Sequence, residues 1–145
     1  MADGAKRPQH RWNRSTVNGI LRHSAALNVY SVREGLPVQT VESLAGCLHV
    51  TSATMQRWLS LSKQTYARRR KQGRLSALES DRVVRYAELL HRAAGFLGDI
   101  DGAAHWLNTP SAALDGETPL DHATTELGAR DVLRLIGRLE HGIPT

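Results

Sequence analysis

The sequence predicts an all-α fold built from two small helical units. Three observations lead there. Apolar residues recur at three- and four-residue spacing in segment after segment. No stretch alternates apolar and polar residues as a half-buried strand does. The periodic segments are bracketed by Ser or Thr before them and Gly after them, the residues that cap helix starts and close helix ends.

Taken in order, residues 1–14 are polar and basic, with Gly4 and Pro8, and predict a tail without fixed structure. From Ser15 to about Val32, Val17, Ile20, Leu21, Ala25 and Leu27 fit a helical period, with Ser15 or Thr16 as cap. Gly35 and Pro37 punctuate the chain. A second helix is expected over Val38–Leu48, with Val41, Leu44, Ala45 and Leu48 on one face. Cys47 lies in that pattern and reads as a small buried hydrophobe. As the single cysteine it excludes an internal disulfide and a cysteine-based zinc site.

Two short helices follow in close succession. Thr51 is placed to cap the first, with Val50 and Met55 as a hydrophobic staple; Ser62 caps the second, with Leu61 and Tyr66 as its staple. Leu59, Ser60 and Leu61 join them tightly. Two capped helices joined by so short a turn read as a helix-turn-helix. Gly73 closes the second helix. A long helix then spans about Ala77 to Leu97, where Val83, Ala87, Leu90, Ala94 and Leu97 form a seam that another helix or a second copy must cover. Gly98 ends it. The remainder reads as short helices interrupted by PSAALDGETP, with Thr118-Pro119 opening one of them. From Ala129, Val132, Leu133, Leu135, Ile136 and Leu139 are apolar on more than one side, which predicts a terminal helix in want of a partner. The expected division is a basic tail over 1–14, a helix-turn-helix unit over 15–75 and a C-terminal unit over 76–145.

The formal net charge of the 145 residues is +5, but it is unevenly spread. Residues 1–75 hold 13 Lys/Arg against 3 Asp/Glu (net +10), and residues 76–145 hold 6 against 11 (net −5). A cationic front half predicts a polyanionic partner and a separate task for the back half. No apolar run approaches the roughly 18 residues of a membrane span. The N-terminus has no apolar core behind its basic residues, so it is not a secretory signal, and a cytoplasmic protein is expected.

The second helix of a helix-turn-helix lies in the major groove with its opening residues at the base edges. With Tyr66 facing the core, Lys63, Gln64, Ala67 and Arg68 fall on the open face. Gln suits adenine, and Arg or Lys suits guanine. Thr65 belongs to the same DNA-contacting set. Arg69, Arg70, Lys71 and Arg74 lie toward the flank and are expected at phosphates. Alone, the run Arg68-Arg69-Arg70-Lys71 is a solvated helix end favoured by the helix dipole. Joined to two capped helices, a tight turn and a front half of net +10, it reads as a DNA-facing edge.

The segment LSLSKQTYARRRKQGRLSALESDRVVRYAELLHRA, followed by AAHWLNTPSAALDGETPLDHATTELGARDVLRLIGRLEHGIPT, closely resembles the Xre/MbcA/ParS antitoxins that accompany RES-domain toxins. The resemblance covers about residues 36–145. Its most specific pieces are Trp106-Leu107, Pro110, Leu114, Gly116, Thr118-Pro119-Leu120 and the closing Arg138-Leu139-Glu140-His141-Gly142. Ser60 departs from the Gly that relatives often carry in the turn. The resemblance implies a DNA-binding front half that represses its own operon. It also implies a back half that binds a NAD-consuming RES toxin and shuts its active site, in a protein that is typically dimeric. It further implies that the terminal segment, Glu140, His141, Gly142, Ile143, Pro144 and Thr145, reaches the toxin's cleft. Beside it, Arg130, Arg134 and Arg138 lie four apart on one face, a stripe that suits a toxin carboxylate or bound anion. Trp106, Leu107, Leu114 and Leu120 are expected core residues.

Two other classes compete. A stand-alone helix-turn-helix regulator with a ligand-sensing or dimerising back half shares every front-half feature. An enzyme finds little support: His91, His105, His122 and His141 stand at no metal-ligand spacing, no nucleophile–base pair stands out, and no glycine-rich phosphate loop is present. The sequence therefore predicts no catalytic residue, no metal and no cofactor, with operator DNA and a RES-domain toxin as partners.

Overall fold

The computed structural model describes residues 29–142. Within them run α1 (Val29–Glu34), α2 (Gln39–Cys47), α3 (Ser52–Trp58), α4 (Lys63–Gln72), α5 (Ala77–Leu97), α6 (Ile100–Leu107), a 3-10 turn (Ala112–Leu114), α7 (Pro119–His122) and α8 (Glu126–Glu140). The expected tail over 1–14 and most of the expected first helix, residues 15–28, lie outside the described residues. Helix α1 continues past Val32 to Glu34.

The two expected caps form. The Thr51 and Ser62 side chains accept from the Thr54 and Thr65 backbone N–H groups, both at 3.1 Å. The turn between α3 and α4 closes through Ser60 in the left-handed region (φ 56°), so Ser fills a position that glycine would take without strain. His49, between α2 and α3, adopts the same φ of 56°. Helix α3 is therefore flanked by two turns of one kind.

The α1–α2 connection is tied to the end of α4. Leu75 N–H donates to the Leu36 carbonyl (2.9 Å) and Val38 N–H to the Gly73 carbonyl (3.1 Å), around an antiparallel bridge between Pro37 and Arg74. Gly35, at φ +91°, is obligatory here: a Cβ would overlap the Leu75 carbonyl oxygen.

Helix α5 is the spine of the molecule. Ser76 and Glu79 form a reciprocal capping box at its start, and Gly98 at φ 87° ends it. Of the expected seam, Val83, Ala87 and Leu90 are buried, whereas Leu97 is 38% exposed. The cover comes from this chain's own α1, α2, α6 and α8. Fully buried Leu89, Leu90, Leu107 and Leu120 each contribute about 1.5–3 kcal/mol against exposure. Leu107, Leu114 and Leu120 are core residues as expected, and Trp106 is half-buried against the core.

The C-terminal helix departs from its expected form. It begins at Glu126 rather than near Ala129, because the Thr125 hydroxyl caps it through Gly128 N–H (3.0 Å). A Cβ at Gly128 would overlap the His122 carbonyl oxygen, so this glycine lets α7 and α8 meet at close range. Val132, Leu135 and Ile136 are buried within the chain, and Leu133 and Leu139 pack partly against the same core. The apolar breadth read as a partner surface is thus largely internal packing; Leu127, 71% exposed, is the exception on this helix.

The front and back halves are joined by specific bonds. The Trp58 indole at the end of α3 stacks on Tyr86 of α5 (centroids 5.6 Å apart, 11° between planes) and donates Nε1–H to Asp121 Oδ1 of α7 at 3.0 Å. The Tyr86 hydroxyl donates to the Leu120 carbonyl at 3.3 Å, and Asn108 Nδ2 donates to the Leu48 carbonyl at 2.8 Å. Buried polar groups in a low-dielectric core need such partners.

Candidate nucleic-acid and partner-binding faces

Helix α4 presents its charge outward. Lys63, Gln64, Ala67, Arg68, Arg70 and Lys71 are exposed, and Tyr66 alone of the helix is buried. Tyr66 fixes the rotation of the helix through a 3.3 Å bond from its hydroxyl to Glu42 of α2, with the Arg70 guanidinium 6.0 Å from its ring centroid. Burial, reinforced by Glu42, pushes the Tyr66 hydroxyl pKa up. Thr65 is half-buried, its backbone N–H and hydroxyl both engaged with the Ser62 cap.

Two of the cations expected at phosphates are committed within the fold. Arg69 binds Glu79 through Nε (2.7 Å) and Nη2 (3.2 Å) and reaches Gln72 as well (3.1 Å). The bidentate pair pins α4 to the start of α5 and engages the guanidinium that the sequence places at a phosphate. Arg74 donates to the Gly35 carbonyl at 3.0 Å. The cations of α4 with no ion pair among the described residues are Lys63, Arg68, Arg70 and Lys71. The structure also brings Ser52 and Gln56 of α3 into one shallow cleft with Lys63 and Arg70. These two polar residues went unread in the sequence, where nothing local marks them.

The back-half residues fall into three groups. Arg130 pairs with Glu126 (2.7 Å) and Arg134 with Asp131 (3.3 Å), while Arg138 has no ion-pair partner among the described residues. All three are exposed on α8. Glu140 contacts Arg92 at 3.5 Å, and His141 and Gly142 are exposed; Ile143, Pro144 and Thr145 lie outside the described residues. The third group was missed in the sequence. His122 has Asp131 Oδ2 at 3.1 Å from Nε2 and Glu117 Oε2 at 3.2 Å from Nδ1. The Asp131 bond, aided by Glu117 and opposed by burial, raises the His122 pKa above its ordinary value. Glu117 lies just before α7 and His122 at its end, and Asp131 joins them because the chain reverses between α7 and α8.

Cys47 is buried, as expected, and burial with Asp101 nearby pushes its thiol up to about 11, so it is unreactive at neutral pH. Among the described residues no helix is long and apolar enough to cross a membrane.

Comparison with known proteins matches both units. Residues 29–88 match the antitoxin Xre-like helix-turn-helix domain, and residues 92–142 match the antitoxin Xre/MbcA/ParS C-terminal toxin-binding domain. The two matched segments meet within α5. The chain is 37% identical over 114 residues, 77% of each chain, to the antitoxin Xre of Photorhabdus laumondii subsp. laumondii. It is 33% identical over 127 residues, 86% of each chain, to the antitoxin Xre of Yersinia enterocolitica. Identity of this extent, on top of both domain matches in their order along one spine helix, means that the chain belongs to the Xre antitoxin family.

Proposed function

We propose that this antitoxin neutralises a NAD-degrading RES-domain toxin by covering its active site, and that its front half binds operator DNA to repress the shared operon. The observation that carries the reading is the union, on one spine helix, of an outward-facing basic α4 and a toxin-binding domain. Lys63, Gln64 and Arg68 are the base-facing set, and Arg70 and Lys71 contact phosphates. Arg130, Arg134, Arg138 and the segment from Glu140 to Thr145 face the toxin. The protein acts by binding, without catalysis, in the cytoplasm. As a homodimer it would set two copies of α4 about one DNA turn, roughly 34–36 Å, apart.

The test is co-production with the cognate RES-domain toxin, followed by NAD quantification and size measurement of the purified complex. The expected result is a stable complex and a preserved NAD pool. A pool that collapses as fast as with toxin alone would sink the reading.

A further inference from the structure

We propose that the recess between the Ala112–Leu114 turn and α8 is a socket for a carboxylate side chain of the toxin, with Arg138 as its anchoring cation. The proposal rests on the toxin-binding reading of this domain. The recess holds about 190 Å³ and is lined by Leu114, Asp115, His122, Asp131, Arg134 and Arg138, among others. It is smaller than a cofactor or drug-sized ligand site, which runs to roughly 300–1,000 Å³, and is of a size for one inserted side chain.

Its polarity follows from which groups are already engaged. Asp131 gives one oxygen to His122 and the other to Arg134, so it offers little to an incoming cation. His122 has a carboxylate at each ring nitrogen, an arrangement that favours both nitrogens as donors and the ring as a cation. Arg130 and Arg134 have intrahelical acid partners; Arg138 has none among the described residues. A lysine or arginine entering the recess would meet three cationic groups, His122, Arg134 and Arg138, against Asp115 as the one lining carboxylate without a partner among the described residues. A carboxylate would reach the Arg138 fork and the unused N–H groups of Arg134. Leu114 is buried and His122 is held from both sides, so the walls stand ready and little ordering cost attends entry.

The experiment measures affinity of the full chain for the cognate RES-domain toxin, the toxin carrying a substitution that stops NAD breakdown. Arg138→Glu should weaken binding by roughly 100-fold or more, and Arg138→Lys should retain part of the affinity, since an ammonium keeps the charge without the fork. Arg57→Glu on α3 makes the same change in net charge away from the socket and should shift affinity by less than about threefold. Arg138 is exposed, so thermal unfolding and operator binding of its variants should match the parent. If Arg138→Glu binds as the parent does, the socket is overturned and the toxin reading stands. If Arg138→Glu tightens binding while Asp115→Lys weakens it, the occupant is a cation and the proposal is overturned. If the parent chain itself does not bind the toxin, the toxin reading falls and the socket with it.

Discussion

Arg69 and Glu79 are joined by two hydrogen bonds, Nε to Oε1 at 2.7 Å and Nη2 to Oε2 at 3.2 Å. The same Glu79 Oε1 accepts the Ser76 backbone N–H at 2.8 Å, which closes the capping box of α5. One carboxylate therefore starts the spine helix and holds α4 against it. The helix that carries the exposed basic residues owes its seat against α5 to an arginine that is itself paired within the fold.

Arg69→Ala should lower folding stability by about 2 kcal/mol, because it leaves a mostly buried carboxylate with one charged partner fewer. Arg69→Lys should recover part of that. Burial pushes the Glu79 carboxyl up, but the Arg69 bonds and charge and the Ser76 N–H outweigh it, so its folded pKa lies below the ordinary 4.5. A depressed folded pKa contributes stability that is present above the unfolded value and lost as pH falls through the folded value. Urea denaturation of parent and Arg69→Ala should therefore converge in acid and diverge at neutral pH. Equal gaps at both would show that the pair is not the source.

On the DNA side, the exposed cations and the amide should behave differently. Arg70→Ala and Lys71→Ala should each reduce the salt dependence of operator binding by roughly 0.9 in the log–log slope, on any duplex. Gln64→Ala should leave that slope unchanged and narrow the gap between operator and unrelated DNA by about 1–3 kcal/mol. Unchanged operator binding across all three would remove α4 from the groove.

His122 gives a pH dependence of opposite sign. Its folded pKa is raised above the unfolded value near 6.5, first by Asp131 and then by Glu117. A raised folded pKa contributes stability that is full below the unfolded value and fades as pH rises through the folded one. With partners about half exposed, the loss should be no more than about 0.5–1 kcal/mol. NMR titration of the ring protons should show a midpoint above that of a free histidine, and His122→Gln should abolish the matching change in unfolding midpoint. A normal midpoint would mean that the two carboxylates do not hold the ring in solution.

Local chemistry was legible in the sequence, and long-range pairing was not. Thr51, Ser62, Gly73 and Gly98 mark helix ends by their own side chains or lack of one, and the structure puts the boundaries of α3, α4 and α5 there. The run Arg68-Arg69-Arg70-Lys71 looks uniform in sequence, yet one member turns inward because Glu79 waits across the next helix start. The pattern Ser76-Ala77-Leu78-Glu79 fits a capping box but went unread in the sequence, as did the use of its carboxylate by Arg69. In the terminal helix, periodicity reports apolar breadth but not what fills the other side. Here α5 and α7 fill it. The His122 cluster and the recess beside it exist only once α7 folds back on α8.

The last prediction concerns the end of the chain. Helix α8 stops at Glu140, and Gly142 follows at φ 66°, a conformation that cannot extend the helix. The bond from Arg92 to Glu140 is 3.5 Å long with both side chains about a third or more exposed, so it adds at most about 0.5 kcal/mol. Deleting Glu140 to Thr145 should therefore leave the unfolding midpoint within a few degrees and operator binding unchanged. The anion at Glu140 suits a site built for NAD phosphates, as the family resemblance implies for this segment. Loss of the segment should then release NAD consumption while the toxin stays bound through the Arg138 socket. This separates the tail from the socket, since Arg138→Glu should weaken the complex itself. A truncated chain that protects NAD as well as the full one would place inhibition on the body of the C-terminal domain and leave the tail without a role.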